Sequence, residues 1–334
     1  MGADSTRGRN TLSSLGKIAI FDLGSARAKL IVASRDESGA LLVERHKAET
    51  GDSSQLTEEG AFTESAREGI RGAVRTLAGL AAAGGCGHSI AVATDVFRRA
   101  TNGEVLLAEL EGEIGRPVTL TAAQEGRIFY SALAGMLPGS DLCAADIGGG
   151  SVQVVWGTSE EETVSMTTGT FRLERELQTD RSVASSEVLA AIRELVVREA
   201  NQKIPDQIKR PVLVFGSNCM ADFIGSVCGA LDIELQVDGR GSPQLGITNA
   251  RTILARIAGR PYSSIEAYFP ANPYFMRGAD KALINVLAIA DRVEADLLVP
   301  TNESVGTALA RLALFDPVAL VHLGILVTDR PVGL

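Results

Sequence analysis

The run from Leu142 to Trp156, LCAADIGGGSVQVVW, constrains the fold more than any other stretch of this chain. An apolar, strand-like segment reaches Asp146, passes through Gly148, Gly149, Gly150 and Ser151, and resumes as Val152, Val154 and Val155, which reads as a hairpin with a glycine-built tip. Consecutive glycines strip the Cβ atoms from the turn, so an anion such as phosphate can come up against backbone N–H groups. Asp146, at the strand's end, is placed to orient a metal ion or a water. A plain tight turn uses the same residues, and the run alone does not separate the two readings.

A second copy stands near the N-terminus. Lys17 to Ser25 reads KIAIFDLGS, an apolar strand ending in Asp22, Gly24 and Ser25, with a strand-like return through Ala28, Leu30, Ile31 and Val32. The copies share Asp-Leu-Gly and Asp-Ile-Gly. Two such hairpins suggest pseudo-symmetric lobes facing each other over a phosphate chain, a layout that resembles the actin, sugar-kinase and heat-shock ATPase superfamily. The fold expected from that resemblance is α/β, with two ribonuclease H-like (actin-like ATPase) domains flanking an inter-lobe cleft.

A chain of 334 residues suits two domains. No apolar run approaches the roughly 18 residues that cross a bilayer, and Val318 to Val327 is too short and carries His322. The polar segment Met1 to Gly16 lacks the apolar core of an export signal, so a cytoplasmic protein with no membrane partner is expected. Cys86, Cys143, Cys219 and Cys228 show no close paired spacing and the three histidines are scattered, which argues against zinc. Free cysteines of this kind read as small buried hydrophobes. A net charge of −9 argues against a nucleic-acid binder and requires local cations or bound metal if the substrate is a polyanion.

Along the chain, Ile70, Val74, Leu77 and Leu80 predict a helix introduced by Ser53-Ser54 and Glu58-Glu59 and stopped at Gly84-Gly85. Ser89 to Thr94 is a buried strand, and helices are expected near Gly103 to Ile114 and Ala123 to Leu133. The glycine- and proline-containing GMLPGSD marks a break near Ala134 to Ser140, giving lobes at 17–135 and 136–320. In the second lobe, Pro211 to Phe215 is a strand whose carboxyl end carries Gly216 and Ser217, where ligands gather in such sheets. Asp238 to Gly246 reads as a mobile surface loop, and helices near Gly278 to Val293 and Ser304 to Leu314 flank a strand at Ala295 to Pro300. The tail after Phe315 is apolar enough to pack, with no partner indicated.

The segments IFDLGSARAKLIVA, VATDVFRRATN, LTAAQEGRIFYSALAG, AADIGGGSVQVVWG, TTGTFRLE and VFGSN occur in the order of the exopolyphosphatase and guanosine pentaphosphate phosphohydrolase family, which the chain resembles from Ile18 to about Phe223. The resemblance implies that Glu125 is the catalytic base toward water. It implies that Asp22 and Asp146 hold Mg²⁺, and that Gly24, Ser25, Gly148, Gly149, Gly150, Ser151, Gly216 and Ser217 bind phosphate. Arg98 corresponds to an arginine whose fork suits a phosphate oxygen pair. Arg99 and Arg127 are read as surface or inter-lobe salt-bridge residues, with lining of the groove as the alternative for either. A homodimer acting on inorganic polyphosphate or guanosine pentaphosphate is implied as well.

Two departures stand out. Ala26-Arg27 replaces the usual Asn-Ser, and Arg27 either binds phosphate or fills the pocket. Ala123-Gln124 replaces an acidic pair ahead of Glu125, with less negative charge near a polyanion site and a weaker alignment of the water. The readings that follow are a phosphohydrolase, a non-catalytic protein that senses polyphosphate or guanosine alarmones, and, with less sequence support, a sugar or acetate kinase.

Overall fold

The computed structural model describes residues 16–25, 27–50, 56–136, 141–157, 159, 162–177 and 186–328. It divides into two units, one formed by the chain up to Ile128 with the segment from Val305 onward, the other by Phe129–Ser304.

The first unit is built on β1 (Ile18–Leu23), buried at every residue. Its apolar run suits a strand covered on both faces. It pairs antiparallel with β2 (Arg27–Arg35), and β2 pairs antiparallel with β3 (Leu41–Glu49). Helix α1 (Glu64–Ala83) starts where the Thr63 hydroxyl accepts from Ala66 N at 3.1 Å, later than the acidic pair Glu58-Glu59 suggested. Ser53 and Ser54 lie outside the described residues. Ile70, Val74 and Leu77 are buried as expected, but Leu80 is 41% exposed, because the buried face advances four residues to Ala81. Then come β4 (His88–Ala93), parallel to β1, α2 (Asp95–Arg99), α3 (Gly103–Ile114), β5 (Val118–Thr119), parallel to β4, and α4 (Ala122–Met136). The sheet order is β3-β2-β1-β4-β5.

The division falls inside α4, earlier than the break read at 134–140. Burial explains the shift. Phe129 and Leu133 are buried with Leu142, Ala144 and Val214 of the second unit, and that apolar cluster outweighs the turn chemistry of the following loop.

In the second unit β6 (Leu142–Ile147), β7 (Val152–Val155) and β8 (Thr163–Met166) form an antiparallel meander. They are followed by α5 (Thr170–Glu176), α6 (Ser186–Lys203), β9 (Val212–Gly216), α7 (Met220–Leu231), β10 (Gln236–Val237), β11 (Pro243–Gly246), α8 (Ile247–Ile257), α9 (Tyr262–Ile265), α10 (Ala279–Val293) and β12 (Leu297–Thr301). The order is β10-β11-β12-β9-β6-β7-β8. Five of these strands, β8-β7-β6-β9-β12, repeat the order of the first sheet with the same directions, so the two Asp-x-Gly hairpins open two copies of one topology. The glycine-rich Asp238 to Gly246 segment is not the bare loop expected. Its end is β11, whose Leu245 is fully buried and pairs with Leu298.

The chain then returns to the first unit through α11 (Val305–Phe315) and α12 (Pro317–His322). Val305, Ala308, Leu309 and Ala313 are buried, α11 packs on β1 and β2, and Thr328 exchanges backbone hydrogen bonds with Ser89 at 3.1 and 2.8 Å. The assignment of residues to 320 to the second lobe therefore differs from the observed packing. Among the described residues no helix is long and apolar enough to cross a membrane.

Candidate functional site

In a sheet ordered 3-2-1-4-5 the connections leave β1 and β4 in opposite directions, which opens a crevice beyond their carboxyl ends. Asp22 and the turn of Gly24 and Ser25 stand there. Asp22 is buried, and its Oδ2 accepts from Nζ of Lys29, its cross-strand partner, at 2.9 Å. Gly24 N donates to Arg27 O at 3.1 Å in a turn so tight that a Cβ on Gly24 would lie 3.3 Å from that oxygen. The Ser25 hydroxyl donates to Asp95 Oδ2 at 3.2 Å, and Arg99 Nη2 donates to the same oxygen at 3.1 Å. Asp95, which sequence reasoning passed over, ties the first hairpin to the β4 end. Its signal was its place directly behind a buried parallel strand. Arg99 is thereby bound within its own unit.

Glu125 lies in the first turn of α4 and is buried. The start of that helix is fixed by a reciprocal capping box in which Gln124 N donates to Thr121 Oγ1 at 3.1 Å and Thr121 N donates to Gln124 Oε1 at 2.8 Å. Gln124 Nε2 also donates to Leu323 O at 3.2 Å. Arg98 Nη1 donates to Glu125 Oε1 and to Leu120 O, the latter at 2.6 Å. A buried carboxylate held by a guanidinium that is itself anchored to backbone has a fixed direction. The structure thus joins Glu125 to Arg98, two residues 27 apart in sequence.

In the second unit Asp146 is half-buried and sits in register with Gly216 of β9 and Gln153 of β7. The glycine loop closes through Gly148 N donating to Ser151 O at 3.1 Å. Gln153 Nε2 donates to Ser151 Oγ at 2.8 Å, which uses the oxygen as acceptor and keeps its O–H as a donor, the reverse of Ser25. A Cβ on Gly216 would meet Glu303 O and the Phe129 ring at 2.8 Å, so only glycine fits. Ser217 Oγ is buried with no hydrogen-bond partner among the described residues, as a donor awaiting a ligand would be.

The sequence pattern that defines the Ppx/GppA phosphatase family matches residues 30–229, more than half of the chain. The chain belongs to the Ppx/GppA phosphatase family. It is 28% identical over 171 residues to Exopolyphosphatase 1 of Mycobacterium leprae, covering 48% of this chain and 49% of that one. Against Exopolyphosphatase 1 of Mycobacterium tuberculosis strain H37Rv it is 29% identical over 172 residues, with 48% of each covered. The chain thus spans about half the length of these curated relatives. Among solved structures, a Ppx/GppA family member from Aquifex aeolicus superposes with a TM-score of 0.68 at 20% identity, covering 88% of this chain and 96% of the other. An exopolyphosphatase from Cytophaga hutchinsonii gives 0.74 at 16% identity, covering 89% and 97%. These likenesses establish the fold, two actin-like α/β domains.

Within this Ppx/GppA member the departures take a physical reading. Gln124 is the capping residue of α4, which explains its side chain without reference to a substrate. Arg27 Nε donates to Glu49 Oε1 at 2.7 Å across β2 and β3, so the guanidinium is tied to the edge strand. Ala26 lies outside the described residues. Asp22 and Asp146 each stand near the carboxyl end of a strand of their own unit and carry hard carboxylate oxygens, the donor type that Mg²⁺ takes. Among the described residues no group of three or more His, Cys, Asp or Glu stands together as a metal site. Lys29 Nζ holds Asp22 Oδ2.

Thiol chemistry is disfavoured at three of the four cysteines. Burial pushes the Cys143 thiol up to about 12 and that of Cys228 up to about 11, and raises Cys86 too, so none is a nucleophile at neutral pH. Cys219 is half-buried. A thiol reagent is expected to modify at most Cys219 within minutes in the native protein and all four cysteines after unfolding, as counted by mass spectrometry. Rapid native labelling of Cys143 would contradict its burial.

Proposed function

We propose that this chain is a phosphohydrolase that releases terminal orthophosphate from inorganic polyphosphate. The observation that carries this reading is the buried Glu125, aimed by Arg98 and by the capped start of α4, in a chain of a phosphatase family. Glu125 accepts the proton of a water attacking the terminal phosphorus in line. The bond from that phosphorus to the bridging oxygen breaks, and the shortened chain leaves with the electron pair.

Arg98 holds the Glu125 carboxylate in place and turns its remaining N–H groups to phosphate oxygens, while the amides of Gly149 and Gly150 and the hydroxyls of Ser151 and Ser217 donate to the chain; Gly24, whose N–H is given to Arg27 O, shapes its turn. Gly148 and Gly216 shape the loops, and Ser25 serves through its backbone, since its hydroxyl is given to Asp95. Arg27 sets the hairpin edge through Glu49 and is not a phosphate ligand in this reading. Mg²⁺ held by Asp22 and Asp146 would neutralise phosphate charge, which a protein of net charge −9 needs. The family grounds extend the proposal to a homodimer in the cytoplasm. Polyphosphate is preferred to guanosine pentaphosphate because the curated relatives carry the name exopolyphosphatase.

The test is orthophosphate release from long-chain polyphosphate and from guanosine pentaphosphate with Mg²⁺, repeated with a chelator. Release from polyphosphate that the chelator abolishes is expected; release from guanosine pentaphosphate alone would move the substrate. A second reading, a polyphosphate-binding protein without turnover, is favoured by the Lys29 ammonium on Asp22, which competes with a metal for that carboxylate. Tight polyphosphate binding with no release would select it.

A further inference from the structure

Thr168 and Asn285 form a polar pair in the second unit that the mechanism above does not use. Both are fully buried. Thr168 Oγ1 donates to Asn285 Oδ1 at 2.6 Å, and Asn285 Nδ2 donates to Thr168 O at 2.8 Å and to Lys281 O at 3.0 Å. The hydroxyl proton, the amide oxygen and both amide protons are thus engaged. A buried polar pair 117 residues apart in sequence is costly to keep unless it is satisfied, and satisfied it fixes one segment against another.

The segment it fixes is the one that holds the glycine loop. Gly169 follows Thr168 and approaches the loop so closely that a Cβ on it would lie 2.4 Å from Gly150 C and 2.5 Å from Gly149 O and Ser151 N. The next three amides donate to the loop: Thr170 N to Gly148 O at 3.1 Å, Phe171 N to Gly149 O at 2.9 Å, and Arg172 N to Gly149 O at 3.1 Å. In a trans peptide the C=O and the following N–H point in opposite directions. Turning the carbonyls of Gly148 and Gly149 toward α5 therefore turns the N–H groups of Gly149 and Gly150 away from it, to the side where an anion can be met.

We propose that the Thr168–Asn285 pair is a positioning device for the phosphate loop: it pins residues 168–172 to α10 and, through them, sets the direction of the Gly149 and Gly150 amides. Its kinetic consequence rests on the phosphohydrolase reading, whereas its structural consequence does not. The experiment compares Thr168→Val and Thr168→Ala, which lose the hydroxyl, with Thr168→Ser, which keeps it, and with Ile253→Val, a buried change on α8 that leaves the polar pair itself intact. Amide hydrogen exchange of the peptide spanning 168–173 is expected to speed up about tenfold or more in the variants without the hydroxyl and to stay parental in the other two. KM for polyphosphate is expected to rise about tenfold in the same variants with kcat within about threefold, because binding is loosened and the proton transfer is not.

Parental exchange and KM in both Thr168→Val and Thr168→Ala, or equal effects from Ile253→Val, would overturn the proposal. If the parent protein releases no orthophosphate, the phosphohydrolase reading fails and the exchange measurement still decides the positioning role. Should Thr168→Val not fold, Thr168→Ala carries both readouts.

Discussion

Glu125→Gln is expected to leave polyphosphate binding close to that of the parent while orthophosphate release falls about 10²-fold or more. The amide has the shape of the carboxylate, and its oxygen can still accept from Arg98 Nη1, which is anchored on Leu120 O. It cannot take the proton of the attacking water. The capping box of Thr121 and Gln124 is untouched, so the helix start stays where it is. Removal of the buried negative charge does leave the Arg98 guanidinium without its ionic partner, and a modest loss of stability is expected with the loss of turnover. Stopped-assay phosphate release and equilibrium binding, measured on the same preparation, separate the two effects. An unchanged kcat would remove Glu125 as the base, and a binding loss as large as the rate loss would make it a residue that shapes the site.

Much of the fold was legible because the hairpins carry their own signals, apolar runs of strand length interrupted by Asp-x-Gly. Where the reading slipped, the deciding term was burial that sequence spacing does not reveal. Leu80 continues the stripe of α1 on paper, yet the helix face advances to Ala81, and an alanine gives no apolar signal strong enough to mark the change. Gly135 and Pro138 suggested a domain break, whereas Phe129 and Leu133 bury themselves with Leu142 and Val214 and draw the boundary back into α4.

The candidate site divides in the same way. Asp22, Glu125, Arg98 and the glycine loops were legible as types at family spacings. Their partners were not, because each depends on strand register or on a long-range contact. Lys29 meets Asp22 only because the first hairpin pairs Asp22 with Lys29. The α7 start is capped by Asn302, whose Oδ1 accepts from Ala221 N at 2.9 Å and Asp222 N at 3.2 Å across some 80 residues. Gln124 read as a departure near the chemistry, although its S/T-x-x-Q spacing from Thr121 already held the capping signal.

Gly169→Ala is expected to be the most damaging single-methyl change in the second unit. The backbone of Gly169, at φ −57° and ψ 148°, is one that alanine adopts freely, so any effect comes from space and not from conformation. The added Cβ would meet backbone atoms of Gly149, Gly150 and Ser151 at 2.4 to 2.5 Å, and no side-chain rotation can relieve a clash with main chain. Either the loop moves or the 168–172 segment does, and both movements lengthen the bonds from Thr170, Phe171 and Arg172 to the Gly148 and Gly149 carbonyls. Overpacking of this kind costs about 1–3 kcal/mol, which corresponds to a loss of roughly five- to 150-fold in kcat/KM if it falls on loop geometry. Gly229→Ala is the matched control: it adds the same methyl to the same unit, inside α7, where nothing lies within 4 Å, and it is expected to be neutral or slightly stabilising because alanine favours helix. Thermal unfolding read beside polyphosphate kinetics distinguishes a loop effect from general destabilisation. Equal activities for the two variants would mean that the loop yields to the methyl without moving the amides that are proposed to hold phosphate.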